Sequence, residues 1–252
     1  MTDYRTAYLW KILVGVGVAL LVGLSLKFGP ELYRSMSLSP EQQFDRVLER
    51  IDVGRATAAE LRKSFPEDYA RLRTEAVAQV KDGASNEALR TSTFAFMRRF
   101  TMDNLSLLAR APHDSLAEFR NAQLRTVRIA RSDSPTLCAH VAGNGLTPAD
   151  RPGLALQRAL DEATAAQLRA MAAGARAPVQ RPSTLSPTDS AAWMKASKAR
   201  GLNPEDFDLL ANGGLERASA DEQCRIGSAL AEAVATLPAE QADRITAALM
   251  AG

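Results

Sequence analysis

Residues 12–26 (ILVGVGVALLVGLSL) carry no charge, and this run constrains the chain more than any other feature. Widened to residues 7–29, it is interrupted only by Lys11 and Lys27 near its ends. Twenty-three residues make a helix of about 35 Å at 1.5 Å per residue. That is enough to cross a hydrocarbon core of roughly 30 Å with some tilt. Lys11 and Lys27 can snorkel to the two interfaces. Tyr4, Tyr8 and Trp10 stand where an interfacial aromatic belt would be, and Pro30 stops the helix. The pattern predicts one membrane-spanning helix.

Two other accounts of the run are weaker. A cleaved signal peptide needs a small-x-small site after the apolar stretch, whereas Gly23-Leu24-Ser25 lies within it. No Cys stands just after the run, which excludes lipoprotein processing. A buried core helix of a soluble protein would not carry Trp and Lys at interfacial positions. Gly15, Ala19 and Gly23 recur at i, i+4 and i+8. This small-residue stripe allows close approach of a second helix in the bilayer, from another protein or a second copy. Arg5 and Lys11 on one side nearly balance Lys27 and Arg34 on the other. The positive-inside rule therefore almost ties, and a short cytoplasmic tail is the default orientation.

The remaining chain reads as helix throughout. Ser39-Pro40-Glu41-Gln42 combines an N-cap, a Pro at the first helical position and a capping-box Gln. Phe44, Val47, Leu48 and Ile51 then mark one apolar face. Gly54 ends that helix. Further helices are predicted over residues 57–64, over 66–81 with Tyr69, Leu72, Ala76 and Val80 inward, and over 85–110. Asp114 caps the next helix, to residue 131. Ser134-Pro135, Pro152, Ser186-Pro187, Asn203-Pro204, Ser219 with Glu222, and Pro238 open the later ones. Residues 124–129 (LRTVRI) come nearest to a strand but have no partner, and a lone strand is not stable.

The fold class is therefore all-α: one N-terminal transmembrane helix followed by a multi-helix soluble domain. Residues 1–36 form the tail, anchor and juxtamembrane stretch. Residues 37–131 form one helical region and 132–252 another, with a Pro- and Ser-rich loop at 175–190. The two regions are expected to pack as one domain.

Charge excludes one class of partner. The formal net charge is +2, without the strongly basic balance that a nucleic-acid partner requires. Arg125, Arg128 and Arg131 recur at helical spacing, chiefly as a solvated face, with an anionic partner or lipid headgroups as the alternative. Phe94, Phe96, Met97 and Phe100 form the densest aromatic cluster. Core packing is its simpler account, and a groove for a partner helix is the sharper one.

The chain has two cysteines, Cys138 and Cys224. Without a CxxC or a Cys/His quartet, zinc is not expected. Cys138 shares a helix face with Ala142, and Cys224 shares one with Gly227, Ser228 and Ala231. Small residues on both faces permit the close Cα approach a disulfide needs. Such a bridge persists outside the cytoplasm, which places the helical domain in the periplasm. The alternative is two separate buried thiols.

Catalytic groups are sparse. The two histidines are His113 and His140. Cys138 and His140 are two residues apart, so a helix directs them to different faces. His113-Asp114 reads as a helix start, and the acids Glu205, Asp206 and Asp208 suit a helix N-terminus. No phosphate loop, nucleophile elbow or cofactor motif is present, so neither a cofactor nor a metal is expected.

In layout alone, the chain resembles the membrane-anchored helical helpers of the bacterial envelope, such as the steric foldases of secreted lipases. The foldase Phe-Asp-Tyr signature is missing, the nearest string being Arg99-Phe100-Thr101-Met102-Asp103. The expected function is non-enzymatic: an inner-membrane protein with a periplasmic protein-binding domain acting as adaptor, assembly factor or inhibitor. The alternatives are a membrane-anchored hydrolase with a carboxylate or Ser–Lys site, and a regulatory module tethered on the cytoplasmic side.

Overall fold

The computed structural model describes residues 39–50 and 52–251. The apolar run at 12–26, the Gly15–Ala19–Gly23 stripe and Ile51 lie outside the described residues. Among those described, no helix is long and apolar enough to cross a membrane.

Eleven α-helices and no strand make up the described chain. They are α1 (Pro40–Arg50), α2 (Arg55–Ser64), α3 (Pro66–Lys81), α4 (Asn86–Ala109), α5 (His113–Asp133) and α6 (Pro135–Ala139). A π-turn at His140–Asn144 follows, then α7 (Leu154–Arg176), α8 (Pro187–Ala199), α9 (Pro204–Ala211), α10 (Ala220–Ala235) and α11 (Ala239–Ala251).

Local chemistry sets most boundaries. The hydroxyl of Ser39 accepts from the Gln42 N–H while the Gln42 amide oxygen accepts from the Ser39 N–H. Ser85, Ser134, Ser186, Asn203 and Ser219 each cap a helix through the side chain, a contribution of about 1 kcal/mol apiece. Gly54 does not close α1. It adopts φ 93° and forms the N-cap of α2, a left-handed position that Gly tolerates without steric cost. Asp114 does not cap α5 either, since His113 begins that helix and Pro112 stands at the N-cap.

Three apolar clusters meet along shared helices. The first joins α1, α3 and α4 through Phe44, Leu48, Tyr69, Leu72, Met97 and Leu108. On α3 the inward face continues through Val77, and Val80 is only half-buried. The second cluster surrounds Cys138 and includes Val127, Val141, Leu156 and Leu160. The third is built on Trp193, Leu210, Ile226, Leu230, Ile245 and Leu249. Helix α7 contributes to the first and second clusters, α11 to the first and third.

Helix α7 is Ala-rich and buried on most of its circumference, so α2, α4 and α5 all pack against it. At its far end Gly174 faces the carbonyl oxygen of Leu107 so closely that a Cβ there would overlap it. Buried carboxylate chemistry also ties α7 to α2. Asp161 accepts from the Ala56 and Thr57 N–H groups at 3.1 and 2.9 Å and from the Thr57 hydroxyl at 2.7 Å. An acid from a distant helix thereby caps α2, whose own N-cap residue supplies no side-chain acceptor.

Candidate functional site

Cys138 and Cys224 are joined in a disulfide, with their Cα atoms 5.1 Å apart. Helix α6 brings Cys138 to the bundle and α10 brings Cys224. The faces around the bridge are small, as the sequence pattern requires. A Cβ at Gly227 would come within 2.6 Å of the Ala142 Cβ, and the Ser228 hydroxyl lies 3.8 Å from the Cys138 sulfur. Both cysteines are buried. His140 points elsewhere: its Nδ1 is 2.9 Å from Asp150, which also accepts the Thr147 N–H.

The aromatic cluster does not form a groove. Phe96, Met97 and Phe100 are 7%, 0% and 5% exposed in the first core, and Phe94 is half-buried against the second. The sequence pattern spans more than one helix face because α4 contributes to two cores. The open side of α4 lies one to two turns further on. There Met102, Ser106 and Arg110 border a cleft of about 590 Å³, closed by Gln180, Arg181, Pro182 and Ser183 on one side and by Ala247 and Met250 of α11 on another. Met102 is among the few large apolar side chains left exposed.

The cleft is built by the Pro- and Ser-rich segment, which is not a free linker. Helix persists to Arg176 and resumes at Pro187. Between them the segment is strapped across the junction of α4 and α5. The Val179 N–H donates to the Arg110 carbonyl at 2.8 Å. The Arg181 guanidinium donates to the carbonyl oxygens of Ala111 at 2.7 Å and Ala109 at 3.4 Å. These carbonyls close α4, where a cation is favoured by the helix dipole.

Beneath the strap lies a polar hub that the sequence did not reveal. Asp243 of α11, buried, accepts from Arg120 at 2.6 Å and from Arg181 at 3.3 Å. His113 Nδ1 lies 2.8 Å from the same carboxylate. Four residues separated by up to 130 positions thus meet. Burying a carboxylate is costly unless it is paired and hydrogen-bonded, and here both oxygens are occupied. The sequence offered only residue type, an acid on the inward side of α11, as a signal.

Other buried acids are satisfied in the same way. Asp189 binds the Arg244 fork at 2.8 and 3.0 Å and the Gln241 amide at 3.0 Å. Arg244, chiefly, holds its carboxyl well below the usual carboxylate range. Asp206 is N-terminal in α9, where it completes a capping box with Asn203 and receives Arg225 at 2.8 Å. Those Arg225 bonds lower its carboxyl too. Burial and the Asp45 carboxylate at 2.6 Å push the Tyr69 phenol upward. Among the described residues, no group of three or more His, Cys, Asp and Glu side chains is placed to hold a metal ion.

These features define a class: an all-α bundle with an internal disulfide and a strap-covered cleft. No family model matches the chain, and no curated protein or solved structure is detectably similar to it.

Proposed function

We propose that this is a single-pass inner-membrane protein of the bacterial envelope whose helical domain stands in the periplasm and binds another protein. It acts without catalysis, as an adaptor, assembly factor or inhibitor. The observation that carries this reading is the cleft between α4, α11 and the strap, with Met102 exposed at its border. Concave sites that combine apolar walls with a few polar groups are where ligands and partners commonly seat. The uncharged run at 12–26 supports the anchor. The Cys138–Cys224 bridge supports an oxidising compartment.

Site-specific photocrosslinking in native membranes tests the reading. A crosslinker at Met102 is expected to trap one defined partner, and the same crosslinker at exposed Arg46, which does not line the cleft, is expected to trap none. The reading fails if the solubilised full chain is a lone monomer and neither position traps a protein.

A further inference from the structure

The strap has a second property, which comes from its residues and from its place in the chain. It runs without helix from Ala177 to Ser186, and residues 177–180 and 182–184 are exposed. None of residues 177–184 belongs to the three apolar clusters. The strap is fastened through the Val179 N–H on the Arg110 carbonyl and through Arg181 on Ala109, Ala111 and Asp243. An exposed loop held by so few bonds is where an endoprotease gains the extended backbone it needs.

The residues select one protease class. A trypsin-like enzyme cuts after Arg or Lys, but Arg181 is followed by Pro182, whose ring nitrogen carries no hydrogen and crowds the bond. Arg176 ends α7, and the Ala177 N–H is still bonded to the Ala173 carbonyl at 2.8 Å. That bond is reached only by unwinding a helical turn. A chymotrypsin-like enzyme would need Leu185, which is half-buried against the third cluster. Val179 remains. Its side chain is 39% exposed, and Pro178 before it favours extended backbone. A small aliphatic side chain presented in this way fits the small specificity pocket of an elastase-type endoprotease.

We propose that the Val179–Gln180 bond is a processing site for an endoprotease that selects small aliphatic residues, and that the cut loosens the strap without dissolving the domain. Hydrolysis adds one water across the amide, leaving a carboxylate on Val179 and an ammonium on Gln180. The strap lies between the bridged cysteines, Cys138 on α6 and Cys224 on α10. A cut there divides the helices into α1 to α7 and α8 to α11, yet the disulfide keeps the two chains covalently joined. Helix α10 still packs on α5 and α6, and α11 still packs on α4 and α5. The strap side of the cleft is then held by Arg181 alone. The proposal does not require the cleft to hold a partner.

Limited digestion of the full chain in lipid nanodiscs with pancreatic elastase tests it, read by intact mass with and without reductant. The first cut within residues 39–252 is expected at Val179–Gln180. The halves should run as one species before reduction and as two after it, with helical circular dichroism retained in the nicked form. Val179→Lys is expected to slow elastase at this bond by roughly tenfold or more and to open the same bond to trypsin. Arg181→Gln, which leaves Asp243 paired with Arg120 and His113, is expected to speed the wild-type cut several-fold, because cutting tracks the population of the open strap. Chain recovered from its native envelope should carry some Gln180 N-termini. The proposal is overturned if the first cut within residues 39–252 falls elsewhere, if Val179→Lys is cut by elastase as fast as wild type, if nicking melts the helices, or if the native chain carries no Gln180 N-terminus. A partner trapped at Met102 on a chain whose strap resists elastase sinks this proposal while leaving the protein-binding reading intact.

Discussion

Two junctions hold the C-terminal helices to the rest of the bundle, and they use different chemistry. At one, α6 and α10 are joined by the Cys138–Cys224 disulfide across faces so small that Gly227 sits against Ala142. At the other, α11, α5 and the strap meet through Asp243, Arg120, Arg181 and His113. The covalent junction needs close backbones and an oxidising compartment. The ionic one needs no close approach, since Arg reaches several ångströms, but every buried charge must find its partner. The first fastens a core, and the second positions a loop that forms one side of a cleft.

Breaking each junction measures this difference. Cys138→Ala with Cys224→Ala is expected to cost most. The bridge closes a loop with a sequence separation of 86, worth about 4 to 5 kcal/mol on the chain-entropy model. Urea unfolding of the full chain, with and without reductant, checks it, and the reductant should destabilise only the wild type. Asp243→Asn removes the shared anion and leaves Arg120 and Arg181 facing each other, for a loss of about 3 kcal/mol. It should also release the strap, seen as faster amide exchange at Val179, whereas the cysteine variant should leave Val179 protected.

Smaller changes sharpen the comparison. Gly227→Ala forces α10 away from the π-turn and should cost about 1 to 3 kcal/mol, with no effect on the strap. Gln167 is buried on α7 with both polar atoms of its amide lacking a hydrogen-bond partner. Replacing it by Met should raise stability by about 1 kcal/mol.

Acid should act on a further ion pair, between Asp189 of α8 and Arg244 of α11. Asp189 has its carboxyl lowered in the folded state, first by Arg244 and also by Gln241 and Ser186. A lowered folded value means the stabilisation is present above the ordinary unfolded Asp value of about 3.9. It is lost as pH falls through the folded value. Thermal unfolding followed down through this range should show a loss of stability that Asp189→Asn reduces and that the cysteine substitutions leave unchanged.

How much of this was legible in the sequence follows the range of each interaction. Caps at Ser39, Ser85, Ser134, Ser186, Asn203 and Ser219 are local and appear where the residue pattern places them. The disulfide was legible because the neighbours of both cysteines are small and packing at close range demands that. The Asp161 cap of α2 and the Asp243 hub were not, because each joins residues more than 100 positions apart and a buried acid looks like any other acid in sequence. The aromatic cluster at 94–100 was legible as apolar but not as to which side it faced, since α4 feeds two cores. The fastening of the loop at 175–190 was not legible, because it depends on Arg181, one arginine among many.

The disulfide and the proposed periplasmic placement of the domain can be tested together in the cell. Quenching living cells with acid and alkylating the denatured full chain with a mass-tagged maleimide does this directly. No tagging of Cys138 or Cys224 is expected before reduction, and tagging of both after it. Both cysteines tagged without reduction would contradict the bridge in the cell and the topology that rests on it.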